Sequence, residues 1–179
     1  MIRHLFLTGE KRVGKSTLLR RLLQALEIEP AGYETRLWQV EGERRGYLFH
    51  SFSPIGLYQN DCPCSLRLAV QRSIPVLPVF EEIGALSLSA ARESDAPLIL
   101  MDELGKLERE AHAFQSAVLA CLSGGKPVLG VLQKGEYPLE QAIRARGDVR
   151  ILTVTEQNRD ALYPEALETL KNMLLQDAK

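Results

Sequence analysis

Between an apolar run at residues 2–8 and a leucine-rich stretch at residues 15–27 stands Gly9-Glu10-Lys11-Arg12-Val13-Gly14-Lys15-Ser16-Thr17, a fit to G-x-x-x-x-G-K-[ST]. The apolar run, bounded by Gly9, suits a short buried strand. Leu18, Leu19, Leu22, Leu23 and Leu26 then recur at helical spacing until Pro30 and Gly32 stop the helix. Strand, glycine-bearing loop and helix in that order leave few folds open. Two glycines let the backbone curl so that successive N–H groups point inward at phosphate oxygens, and the positive end of the helix dipole reinforces them. Lys15 would reach the β- and γ-phosphates and the Ser16 hydroxyl would bind Mg2+. A chance match in a chain of this length is on the order of 1%. All nine residues, Gly9 to Thr17, are therefore expected to hold a nucleotide.

The remaining chain alternates strands and helices. Residues 33–40 and 47–52 read as a hairpin around the glycines of residues 41–46. Residues 53–78 are broken by Pro54, Gly56, Pro63, Pro75 and Pro78 and read as loops around one short element near 65–72. Helices follow at 81–94, 111–122, 139–146 and 159–175, and strands at 96–101, 127–132 and 149–154. Gly124-Gly125 is placed to end the 111–122 helix with a left-handed cap, and Leu162, Ala166, Leu170 and Leu174 give the last helix one apolar face. The pattern predicts an α/β fold, a mostly parallel sheet flanked by helices, with an inserted hairpin at about 33–52. One domain over residues 1–179 is expected.

The strand at 96–101 runs into Asp102-Glu103. Behind a phosphate loop, an aspartate at such a strand end holds Mg2+, usually through its water. A neighbouring glutamate can orient or deprotonate the water that attacks the γ-phosphate. Two acids opening a surface loop is the bland alternative, and the phosphate loop upstream makes it the weaker one.

With those residues in place, the chain resembles the small P-loop nucleoside-triphosphatases, the family of a thermophilic nucleotide phosphatase and the cancer-related nucleoside-triphosphatase. The resemblance rests on residues 9–17, on Gly32-Tyr33-Glu34-Thr35, on Asp102-Glu103-Leu104-Gly105-Lys106-Leu107-Glu108 and on Val154-Thr155-Glu156-Gln157-Asn158-Arg159. It implies a three-layer P-loop NTPase fold of the RecA-like kind. It also implies Mg2+-dependent hydrolysis of a broad range of nucleoside triphosphates to the diphosphate. Carried across, Lys15 and Ser16 act on phosphate and metal, Asp102 on the metal and Glu103 on the attacking water. Lys106 matches the family's run and is the first candidate for transition-state charge; Arg159, opening the last helix, is a second, near where a base lies in such folds. Leu37 and Gln39 stand about where the family has an acid and an arginine, and Cys62-Pro63-Cys64 is peculiar to this chain.

Rival readings remain. A kinase would use paired arginines in a lid, for which Arg144 and Arg146 are available, and the 53–78 stretch for its acceptor; a slow nucleotide-dependent accessory module would time a contact with a partner. Arg44 and Arg45 read as surface cations. Asn158-Arg159-Asp160 falls short of a guanine-selecting N-K-x-D, so GTP selectivity is not encoded in that form. Trp38, Tyr33 and Phe49 could stack on a base but suit strand packing better. Cys62 and Cys64 lack a second pair, and His4, His50 and His112 complete no metal site. Twenty-two Lys+Arg against 23 Asp+Glu give a net charge of −1, which argues against general nucleic-acid binding. Three cysteines, no signal-like start and no long apolar window lead us to expect a reduced, cytoplasmic protein away from membranes.

Overall fold

His4–Thr8 is buried at every position and forms β1, the strand that delivers the phosphate loop. The structure is a computed structural model that describes residues 1–56, 58–69 and 72–177. The other strands are β2 (Ala31–Val40), β3 (Glu43–Ser51), β4 (Asp61–Ala69), β5 (Arg72–Pro75), β6 (Ile99–Leu104), β7 (Val128–Leu132) and β8 (Val149–Thr153). The helices are α1 (Lys15–Leu26), α2 (Ala85–Glu93), α3 (His112–Leu122), α4 (Pro138–Arg144) and α5 (Arg159–Asp177). A π-helical segment, Val79–Gly84, leads straight into α2. None of these helices is long and apolar enough to cross a membrane.

One sheet runs β5-β4-β3-β2-β6-β7-β1-β8. The five strands from β2 to β8 in that order are parallel, and β3, β4 and β5 continue the sheet antiparallel from β2. Alternation along β1 divides the core. Leu5 and Leu7 pack with Leu18, Leu22, Ala166 and Leu170 of α1 and α5 on one face. Phe6 joins Tyr33, Phe49, Phe80 and Phe114 on the other. Because β1 and β7 are covered on both faces, they read as unbroken apolar runs.

Tyr33 stacks on Phe49 at 4.6 Å between centroids, and Phe80 and Phe114 meet Phe49 edge-on. These rings are core, which answers the base-stacking alternative for Tyr33 and Phe49. Phe114→Ala is expected to cost about 3–5 kcal/mol by emptying the centre of this cluster. Urea unfolding followed by circular dichroism would check it.

Three expectations need correction. Residues 53–78 are not loops around one short element: they contain β4, which pairs with β3, and β5, which pairs with β4. Residues 70 and 71 of the expected element at 65–72 lie outside the described residues. Prolines obscured these strands. Pro63 is tolerated because it sits at an irregularity in the β3–β4 pairing and has no partner on β5, and Pro75 because it ends the edge strand β5. The hairpin at about 33–52 is present at 31–51, but its turn is only Glu41 and Gly42, and β2 also joins the parallel sheet, pairing with β6 from Ala31 to Glu34. Finally, α3 ends at Ser123 in right-handed geometry, without the left-handed glycine expected at Gly124-Gly125.

Candidate active site

Leaving β1, the chain passes so close to β8 that a methyl group on Gly9 would stand 2.2 Å from the Val154 carbonyl oxygen. Gly9 (φ 138°) and Gly14 (φ 99°) both occupy backbone conformations that L side chains rarely adopt. Gly14 opens α1 with no side chain capping it, and the first turn carries no acidic residue. The helix thus presents free N–H groups and an unopposed dipole end, the arrangement that binds anions. Lys15 is buried, and its Nζ donates to the carbonyl oxygens of Gly9 (3.0 Å) and Glu10 (2.7 Å), folded back over the loop. Ser16 and Val13 are at least half-buried, whereas Glu10, Lys11, Arg12 and Thr17 are exposed.

One strand away, beyond β7, β6 brings up Asp102 and Glu103. Asp102 is 7% exposed. Burial, then the neighbouring Glu103 and Glu34, push its pKa up to about 7, against the pull of Arg20 and Lys15. Glu34 lies directly opposite it in the β2–β6 register. Burial also raises Glu103, opposed first by Lys15 and then by a hydrogen bond from the Gln133 side chain. Glu108, 2% exposed, is pushed up to about 7 by burial although it accepts the Gly105 N–H. Sequence reasoning named Asp102 and Glu103 but gave no site role to Glu34, Glu108, Arg20 or Gln133. Glu34 and Glu108 stood within the runs that carry the resemblance, and Gln133 was marked only as a polar residue directly after the fully apolar β7.

The raised Asp102 pKa makes a stability prediction. An unfolded aspartate ionises near 3.8, so between about pH 4 and 7 the unfolded chain holds fewer protons than the folded one. Stability therefore falls as pH rises through that window, the opposite of an ion-paired carboxylate. Asp102→Asn is expected to melt above the wild type at pH 8, with the difference vanishing by pH 4. Thermal scans across pH, without nucleotide, would check it.

Arg159 reaches the same place from α5: a methyl group on Gly14 would lie 2.6 Å from its Cδ and Nη1. The turn before it is a reciprocal cap in which Asn158 N–H donates to Thr155 Oγ1 (3.1 Å) and Thr155 N–H to Asn158 Oδ1 (2.7 Å). Lys106 is exposed on the loop beyond the acids, and its backbone N–H donates to Gln133 Oε1 at 3.0 Å. The other four candidate cations lie elsewhere. Arg144 pairs with Glu140, and Arg146 with Asp148, whose carbonyl meets the start of β1 at the opposite end of the strands. Arg45 pairs with Glu43, and Arg44 lies over Tyr47. Cys62 and Cys64 are free thiols bonded to the carbonyls of Gln59 and Tyr47.

Known proteins resemble this chain over nearly its whole length. The family model described as NTPase matches residues 4–167. The chain belongs to this nucleoside-triphosphatase family. It is 32% identical to the nucleoside-triphosphatase THEP1 of Thermotoga sp. (strain RQ2), over 93% of this chain and 95% of that one. It is 30% identical to the cancer-related nucleoside-triphosphatase homolog of Mus musculus, over 96% and 98%. The solution structure of a human cancer-related nucleoside triphosphatase superposes with a TM-score of 0.76 at 27% identity, covering 95% of this chain and 98% of that one. As a nucleoside-triphosphatase, the chain takes nucleoside triphosphates as its substrate class.

Proposed function

We propose that this nucleoside-triphosphatase, acting as one domain over residues 1–179, hydrolyses nucleoside 5'-triphosphates to the diphosphate and phosphate with Mg2+ and little selection for the base. The observation that carries the reading is the placement of an uncapped helix N-terminus with Lys15 one strand away from the buried Asp102 and its neighbour Glu103. Residues 9–17 bind the phosphates, Lys15 draws charge from the γ-phosphate, and Glu103 accepts a proton from the attacking water. The water oxygen bonds to the γ-phosphorus as its bond to the β–γ bridging oxygen breaks, and the diphosphate leaves. Lys106, exposed beyond the acids, supplies further positive charge. Arg159, packed against Gly14, contributes to binding the nucleotide.

The residues present fit Mg2+. Among the described residues no three His, Cys, Asp or Glu side chains gather to hold a cation alone. A strand-end carboxyl pair raised by burial, Asp102 further by Glu103, with the Ser16 hydroxyl next to Lys15 in sequence, suits an ion that keeps much of its coordination for water and phosphate. Ser16 and Asp102 would hold it, and when bound it would neutralise charge on the phosphate oxygens.

Base tolerance is supported by the side chains that are already engaged. Both ends of the Asn158 amide are used within the turn, its Nδ2 donating to the Thr153 carbonyl. The kinase reading is weakened because Arg144 and Arg146 lie at the far end of the strands and residues 61–69 and 72–75 are sheet. Phosphate release from ATP, GTP, CTP and UTP, with and without Mg2+, tests the proposal. Rates within about tenfold of one another are expected, all lost on chelation. Tight binding without phosphate release would overturn it and favour an acceptor or an activating partner.

A further inference from the structure

We infer that Gln133 is a positioning residue for hydrolysis: its amide holds the Glu103 carboxylate and the Lys106 loop in one arrangement. The inference rests on the function proposed above. Gln133 follows the last residue of β7, the strand between the phosphate-loop strand and the acid strand. Its own N–H donates to the Leu104 carbonyl at 2.7 Å, which seats it beside the end of β6. Its Oε1 accepts the Lys106 N–H at 3.0 Å. With the oxygen so used, the amide NH2 is the end left for Glu103, the carboxyl group on which this side chain acts.

Gly105 supports the same conclusion from the other side. A methyl group there would stand 2.4 Å from Gln133 Oε1 and 2.5 Å from its Cβ, so the glycine leaves room for this amide. Glu108 accepts the Gly105 N–H and closes the loop from below. The amide therefore ties the group that faces the water to the loop that carries Lys106. Loss of this tie frees the Glu103 rotamer without touching the phosphate loop, so turnover falls and nucleotide binding does not.

The test is a double-mutant cycle on phosphate release, with binding of a non-hydrolysable triphosphate analogue measured in parallel. Gln133→Ala is expected to lower kcat by about 10- to 100-fold while KM and analogue binding stay within about twofold. Gly105→Ala, which keeps the amide but crowds it, is expected to reproduce the kcat loss. Within Glu103→Gln, adding Gln133→Ala is expected to cost less than about twofold more. Multiplied losses in that double variant, or wild-type kcat in both Gln133→Ala and Gly105→Ala, would overturn the inference alone. Wild-type turnover in Glu103→Gln would instead remove the role proposed for Glu103 and the inference with it.

Discussion

Lys15→Ala is expected to lower triphosphate turnover by about a thousandfold and to weaken nucleotide binding with it. Lys15 is buried, and two carbonyl oxygens of its own loop hold its ammonium at the mouth of the α1 N-terminus. A γ-phosphate arriving there exchanges those neutral acceptors for a charged one, a stronger bond in a site with little water. The lysine also opposes the rise of both strand-end carboxyl groups. Its removal therefore leaves the acids facing an anionic substrate without that cation. Calorimetric titration with a non-hydrolysable analogue, beside steady-state phosphate release, separates the two losses. A variant that binds the analogue as the wild type does would contradict the placement of Lys15 at the phosphates.

Glu103→Gln is expected to behave differently. Turnover should drop by about 10²- to 10⁴-fold, the range of a lost general base, while nucleotide affinity changes only a few-fold. Glutamine keeps the shape and can still accept a hydrogen bond from Gln133, but it cannot take a proton. Burial already raises the Glu103 pKa, which makes its carboxylate a better base than an exposed one. Single-turnover phosphate release measured against equilibrium binding checks the split. Retained turnover would shift proton acceptance to another acid in the cluster, with Glu108 the first to test because it is buried beside the same loop.

How much of this was legible before folding depends on whether the signal was local. The phosphate loop needs glycines at two backbone positions and a lysine and hydroxyl at the first helical turn, so its sequence alone carried it. The buried parallel strands were legible for a similar reason: an apolar run of five or six residues between turn signals has few other uses. By contrast, β4 and β5 were hidden. Their prolines read as breakers, and only the pairing shows a register irregularity beside Pro63 and the edge strand that Pro75 ends. The T-x-x-N-R run was visible as a motif, yet its reason, a reciprocal cap that sets Arg159 against Gly14, required coordinates.

The rest of the site was assembled from distant segments. Glu34 opposes Asp102 because β2 and β6 are neighbours, although 68 positions separate them in the chain. Gln133 meets the Lys106 loop because β7 lies between β1 and β6. Neither residue belongs to a spacing rule, since strand order is chosen by which apolar faces bury together. By itself, then, the sequence determined that this chain carries a phosphate-binding loop, an acidic strand end and an α/β alternation, because each is a short-range requirement of backbone geometry or chemistry. Only the tertiary structure decided which carboxylates stand close enough to raise the Asp102 pKa, which cations stand near the phosphate loop and which lie at the far end of the sheet. Those properties depend on distance through space and on exclusion of water, and both are set when the strands pair.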